Sequence, residues 1–225
     1  MNLFIFNSSI GRKLIMSLSG LFLMLFLLIH LTVNSLLLVG PEAFQAGCEF
    51  MELPVVTIMV PILAAGFIVH IIYAAWLTWQ NRKARGSVAY ASGKKSETTS
   101  WASKNMFVLG LVVLGVIAIH LSHFWAKMQL PHFMGTEGVP ASQAYDLVAN
   151  IFRNPCWAVI YIIWYGALWF HLTHGFWSAL QTIGFNNTTW YYRLRWIGII
   201  FATIVAFGFT GITLFFALGV DKLVH

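Results

Sequence analysis

Six of the eight histidines, His30, His70, His120, His123, His171 and His174, stand inside long runs of apolar residues. Imidazole can donate or accept a hydrogen bond, carry a proton, or ligate a metal. In apolar surroundings such a group is costly, and its presence is a functional hypothesis by default. For a single histidine, a hydrogen bond between helices would serve as well as ligation. Here four separate runs each carry at least one, which suits two pairs of axial ligands. An iron held by histidine on both sides of a haem has no open position for oxygen, so its chemistry is electron transfer. A Cys-x-x-Cys-His attachment motif is missing, which predicts haem held without covalent links, of the b type. The sequence also lacks a glycine-rich phosphate loop, a nucleophile elbow and a cysteine cluster motif.

The segments that must position these histidines follow from the charges. The 225 residues are 59% hydrophobic and 9% charged, against about a quarter charged in a soluble domain. No charged residue falls between Lys13 and Glu42, Glu52 and Arg82, Lys104 and Lys127, Arg153 and Arg193, or Arg195 and Asp221. Each gap holds the roughly 20 apolar residues that cross a bilayer core as a helix. The spacing predicts helices near 14–39, 55–80, 105–127, 155–182 and 196–219, an all-α integral membrane bundle of five helices in one domain, 1–225. The first is too long for a signal sequence and no small-residue cleavage site follows it, so it is expected to be retained.

The net charge of +6 follows topology rather than nucleic-acid binding. With the N-terminus inside, ten cations (Arg12, Lys13, Arg82, Lys83, Arg85, Lys94, Lys95, Lys104, Arg193 and Arg195) lie on the inner side, against Lys127, Arg153 and Lys222 outside. That is the bias expected of cytoplasmic segments. Glu97 is inside, whereas Glu42, Glu49, Glu52, Glu137, Asp146 and Asp221 are outside. The basic stretch 81–104 reads either as a retention and lipid-contact segment or as a docking site for a cytoplasmic partner. Cys48 and Cys156 both fall outside, where a disulfide could survive, but nothing in their spacing pairs them.

Depth sorts the histidines. His30 and His120 or His123 lie past the midpoints of outward-running helices, and His70 and His171 or His174 past those of inward-running ones. Offsets of roughly 5 Å each way put two pairs on planes about 10 Å apart. Depth alone matches His120 to His30 slightly better than His123. Gly66 and Gly175 lie four residues from His70 and His171, on the same helical faces, where a flat cofactor could approach.

Read together, SGLFLMLFLLIHLTVN (19–34), EAFQAGCEFMELP (42–54), FIVHIIYAAW (67–76), HFWAKMQLP (123–131) and FHLTHGFWSALQTIG (170–184) resemble the five-helix, di-haem cytochrome b anchor of succinate dehydrogenases and fumarate reductases. The resemblance runs through nearly the whole chain in order. It implies His30, His70, His123 and His171 as axial ligands of two haem b groups, His70 with His171 toward the inside and His30 with His123 toward the outside. The aromatic spacing His123-Phe124-Trp125 and the distance to Pro131 favour His123. The pattern from Phe170 to Ser178 favours His171 over His174, and the spare histidines are left to bond propionates or to pack.

The resemblance also implies a flavoprotein and an iron–sulfur subunit on the cytoplasmic side of the inner membrane, and a quinone, menaquinone before others. In this chain's share of the work, electrons pass between the iron–sulfur subunit and the quinone. Some members of the family carry a glutamate two residues before the fourth ligand. Here that position is Trp169. Quinol oxidation needs a proton acceptor near a haem edge, and Glu52, ahead of Glu49, is the candidate. Glu52 capping the second helix is the competing reading. Two alternatives from other classes remain: a cytochrome b subunit of a hydrogenase or formate dehydrogenase, and a haem-free transporter with histidine proton relays.

Overall fold

In a computed structural model, residues 8–85, 101–185 and 187–224 are described. They are almost wholly helical and include no strand. Five helical stretches are long and apolar enough to cross a membrane: Ser9–Leu38, Pro54–Ala84, Met106–Met134, Pro155–Thr182 and Thr188–Ala217. The chain is a multi-pass membrane protein. At 1.5 Å per residue these stretches run about 42–46 Å, well beyond a hydrocarbon core of about 30 Å. Their ends therefore project into the headgroup layer. This is why the fifth helix begins at Thr188, before Arg193 and Arg195, although the charge gap alone pointed to 196.

Local chemistry sets the boundaries. Helix α1 (Ser9–Ser35) starts where the Ser8 hydroxyl accepts from the Gly11 N–H at 2.9 Å, satisfying a first-turn donor. After a short 3₁₀ turn, Gly40 has φ 145°, a conformation open to glycine. It turns the chain into α2 (Pro41–Met51), which has proline in its first turn. The second crossing opens with the turn Pro54–Thr57 and continues as α3 (Met59–Arg85). The third has three parts: α4 (Met106–His120), a π-helical turn Leu121–Trp125, and α5 (Ala126–Met134). Next come α6 (Ala144–Phe152), α7 (Pro155–Thr182) and α8 (Thr188–Ala217). The side chains of Asn154 and Asn187 cap α7 and α8, accepting from the N–H groups of Cys156 and Trp190.

Helix α7 is the hub, packing on α1, α4 and most extensively on α8. By contrast, α3 leans mainly on α1 and touches α4 only lightly. At one end α2 and α6 close the bundle over a core of Leu37, Phe44, Val148, Ala149 and Phe216. An ion pair between Arg153 and the buried Asp221 ties the α6 end to the turn after α8. At the other end cations lie over aromatic rings: Arg12 over Trp76, Arg82 over Phe107, Arg193 over Trp190 and Arg195 over Tyr191. The basic ends of α1, α3, α4 and α8 are thus gathered at one end, as the charge pattern required. Lys94, Lys95 and Glu97 lie outside the described residues. Both cysteines are free, Cys48 buried and Cys156 exposed.

Candidate functional site

Two histidine pairs meet across the bundle. The rings of His70 on α3 and His171 on α7 have centroids 6.4 Å apart. Those of His30 on α1 and His120 at the end of α4 are 5.7 Å apart. Two imidazoles on one metal, with bonds of about 2 Å and about 1 Å from each nitrogen to its ring centre, have centroids about 6 Å apart. Both pairs have about that spacing. No three His, Cys, Asp or Glu side chains converge among the described residues. A two-donor arrangement, such as the two axial positions of a haem, is what these histidines can build.

The surroundings of the first pair suit that use. The Ser19 hydroxyl donates to the Met16 carbonyl oxygen at 3.0 Å and lies 3.3 Å from His70 Nδ1. With its own proton committed, it can accept from Nδ1–H, leaving the Nε2 lone pair for a metal. Glycines sit against both rings. A Cβ on Gly20 would come 3.3 Å from His70 Cε1, and one on Gly110 would come 3.7 Å from His171 Cε1. Gly66 and Gly175, the glycines singled out from the sequence, serve helix packing instead. A Cβ on Gly66 would stand 2.7 Å from the Phe22 ring, and one on Gly175 would stand 3.3 Å from Met24 Cε. Nδ1 of His171 is buried without a hydrogen-bond partner.

At the second pair, helix geometry decides which histidine faces His30. Depth favoured His120 and the resemblance favoured His123; the ring lying against His30 is that of His120. The π-helical turn begins at Leu121, immediately after His120. Its turn is wider than an α turn, so His123 does not return to the face of His120. Instead its Nδ1 lies 3.1 Å from the Tyr161 hydroxyl, its ring stacks on Tyr161, and Trp157 meets it edge-on. Tyr161 itself is 1% exposed. His30 also touches Phe26 and Phe209, and the Asn34 amide donates to its carbonyl oxygen at 2.8 Å. His174, one turn past His171, stands edge-on to Trp177.

Glu52 follows α2 as its C-cap residue and is exposed. Its carbonyl oxygen accepts from the Thr57 hydroxyl at 3.2 Å. The residue at the N-cap of Pro54–Thr57 is Leu53, and no side chain caps that turn. Glu49 accepts from Gln45 Nε2 at 2.8 Å. Both carboxylates bear electrostatically on the buried Cys48 thiol. Burial first, then Glu52 and Glu49, push its pKa up to about 11. Trp169 donates from its indole N–H to Thr203 Oγ1 at 3.0 Å.

No protein-family model matches the chain, and no solved structure matches it. Among known proteins it is similar to the succinate dehydrogenase cytochrome b558 subunit of Bacillus subtilis (strain 168). The two are 26% identical over 195 residues, which is 86% of this chain and 88% of the relative. The resemblance read from the ordered motifs is borne out along nearly the full length.

Proposed function

We propose that this chain is the membrane anchor and electron-transfer subunit of a succinate:quinone oxidoreductase, holding two b haems by histidine on both faces. The observation that carries the proposal is the pair of facing histidines at two levels of a five-helix membrane bundle. The full-length similarity to a succinate dehydrogenase cytochrome b subunit supports it. His70 and His171 hold one haem, with Ser19 orienting His70 and Gly20 and Gly110 leaving room beside the rings. His30 and His120 hold the other. His123, which the family's motif favoured, is instead bonded to Tyr161 and steadies the wall behind His120. The haem, when bound, supplies a one-electron couple. The two histidines of each pair would be its protein ligands, and the protein would supply their orientation and burial.

The basic end faces the cytoplasm, where Lys104 and Arg193 are exposed and available to an iron–sulfur partner carrying electrons from a flavoprotein. At the opposite end Glu52 is the proton acceptor for a quinol. Its carboxylate is exposed, makes no capping hydrogen bond, and stands at the junction of α2 with the second crossing. An exposed base at this end suits proton release as electrons leave the quinol.

The deciding experiment is a pyridine haemochrome assay on the purified chain with its co-purifying subunits identified. The expected result is two haem b per chain, together with a flavin-containing, succinate-oxidising partner. A ratio near one overturns the two-pair assignment. Two haems with a hydrogenase or formate dehydrogenase partner overturn the succinate assignment.

A further inference from the structure

At the end away from the cation–ring contacts, the Arg153 guanidinium donates to Asp221 Oδ2. Arg153 is the C-cap residue of α6, with its N–H on the Ala149 carbonyl oxygen at 2.9 Å. Asp221 opens the closing turn Asp221–Val224. It reaches α6 because Gly219, with φ 69°, turns the chain back after α8, in a left-handed conformation that suits glycine. The Asp221 side chain is 3% exposed and that of Arg153 35%. Its other oxygen, Oδ1, is buried with no hydrogen-bond partner among the described residues. A carboxylate buried to that degree is costly unless paired, so the seating of Asp221, and of its turn, depends on Arg153.

What the ion pair holds in place is the last turn of α6. Phe152, next to Arg153, is buried. Its ring meets Tyr161 edge-on at 5.2 Å and Phe124 at 6.1 Å. Both of those rings also touch His120, Phe124 at 5.0 Å and Tyr161 at 6.3 Å. Phe152 is thus the second layer behind a proposed axial ligand. At the start of α6, Tyr145 stands edge-on to Phe216 of α8 at 5.3 Å. The helix is therefore fastened at its start by an aromatic contact and at its end by the ion pair. The apolar shell around a metal site controls the access of water and through it the reduction potential. A dry site disfavours the form with the greater charge, which for a haem with two neutral axial ligands is the oxidised one.

We propose that the Arg153–Asp221 ion pair is a latch that seats Phe152 behind the His30–His120 pair and, by excluding water, raises the potential of the haem held there. The latch rests on that haem assignment and extends it from the ligands to the shell around them. Arg153 and Asp221 are positioning residues. They act through Phe152 and not through their own charges.

The test is a redox titration of the haems in the purified complex, with hydrogen exchange followed over residues 144–153. The haem in question is identified as the one missing from His30→Ala. Asp221→Ala removes the carboxylate and leaves the partly exposed Arg153 free to turn to water. Acting directly, the loss of a negative charge would make a haem easier to reduce. Opening the latch does the reverse. The haem of the His30–His120 pair should become about tenfold harder to reduce, a fall of about 59 mV for a one-electron couple. Exchange over 144–153 should quicken, and the other haem should not move. Arg153→Gln should shift the same haem in the same direction, and Arg153→Lys, which can still pair, should restore most of the wild-type potential. Where Arg153→Gln does not accumulate, the sign of the shift in Asp221→Ala decides. Asp146→Asn, at an exposed acid of the same helix, should leave both potentials in place. A rise in potential in Asp221→Ala overturns the latch in favour of a direct charge effect. Unmoved potentials with both haems present, whatever the exchange rate, also overturn it and leave the pair a structural tie. Equal haem content in His30→Ala and the unaltered protein overturns the haem assignment and the latch together.

Discussion

Replacing His120 and His123 one at a time separates the ligand from its neighbour. The His120 ring stands 5.7 Å from that of His30, close to the roughly 6 Å that a shared metal requires. His120→Ala leaves His30 without a partner on the iron, so the haem content should fall from two per chain to one. His123 is engaged elsewhere, 3.1 Å from the hydroxyl of Tyr161, which is 1% exposed. His123→Ala orphans that buried hydroxyl, at a cost of about 1–3 kcal/mol of stability, and also loses ring stacking. Both haems should remain, with a protein that unfolds at lower temperature. His123→Gln, which can still bond Tyr161, should recover part of the loss. Haem is counted against protein by pyridine haemochrome, and stability is followed by loss of the Soret band on heating. A His123→Ala protein holding one haem, beside a His120→Ala protein holding two, would refute the reasoning and return the outer site to His123.

Other expectations follow from single contacts. Glu52→Gln keeps the shape and removes the base, so quinone-linked turnover should fall severely while both haems stay bound and dye-linked succinate oxidation persists; unchanged quinone turnover sinks the role. The same variant should lower the pKa of the Cys48 thiol only partway from about 11, because burial, the larger cause, remains. In the unaltered protein, a maleimide at neutral pH should modify exposed Cys156 and spare Cys48, with Cys48 labelled only as the pH approaches 11 and its thiolate forms. A membrane-impermeant maleimide should reach Cys156 from outside intact cells, and labelling only after lysis would reverse the topology. Gly66→Val should force the α1–α3 contact apart, because even a Cβ there would come 2.7 Å from the Phe22 ring. Overpacking of this kind costs about 1–3 kcal/mol, and with α3 displaced the His70–His171 haem should be lost first, read as a drop in the haem ratio.

The five crossings and the gathering of cations at one end were legible in the sequence because each follows from composition along a single helix. An uncharged run long enough to span the bilayer has few other places to go, and the charges it excludes collect at its ends. Histidine depth was legible for the same reason, since rise per residue is fixed. Depth and motif together pointed to His70 and His171, whose rings the fold brings to 6.4 Å. The turn of a helix about its axis was not legible. An α-helical count from His120 to His123 puts both near one face, and the choice fell to His123 by its aromatic neighbours. The π-helical turn at Leu121–Trp125 changes that phase, and nothing in the run of apolar residues there announces it. The glycines divide in the same way. Gly66 and Gly175 could be read from spacing within their own helices, while Gly20 and Gly110 approach histidines on other helices and depend on how α1 meets α3 and α4 meets α7. The composition of a span determines that it crosses and at what depth its polar groups lie. Which of them face one another depends on helix rotation and packing, and those are settled only when several helices meet.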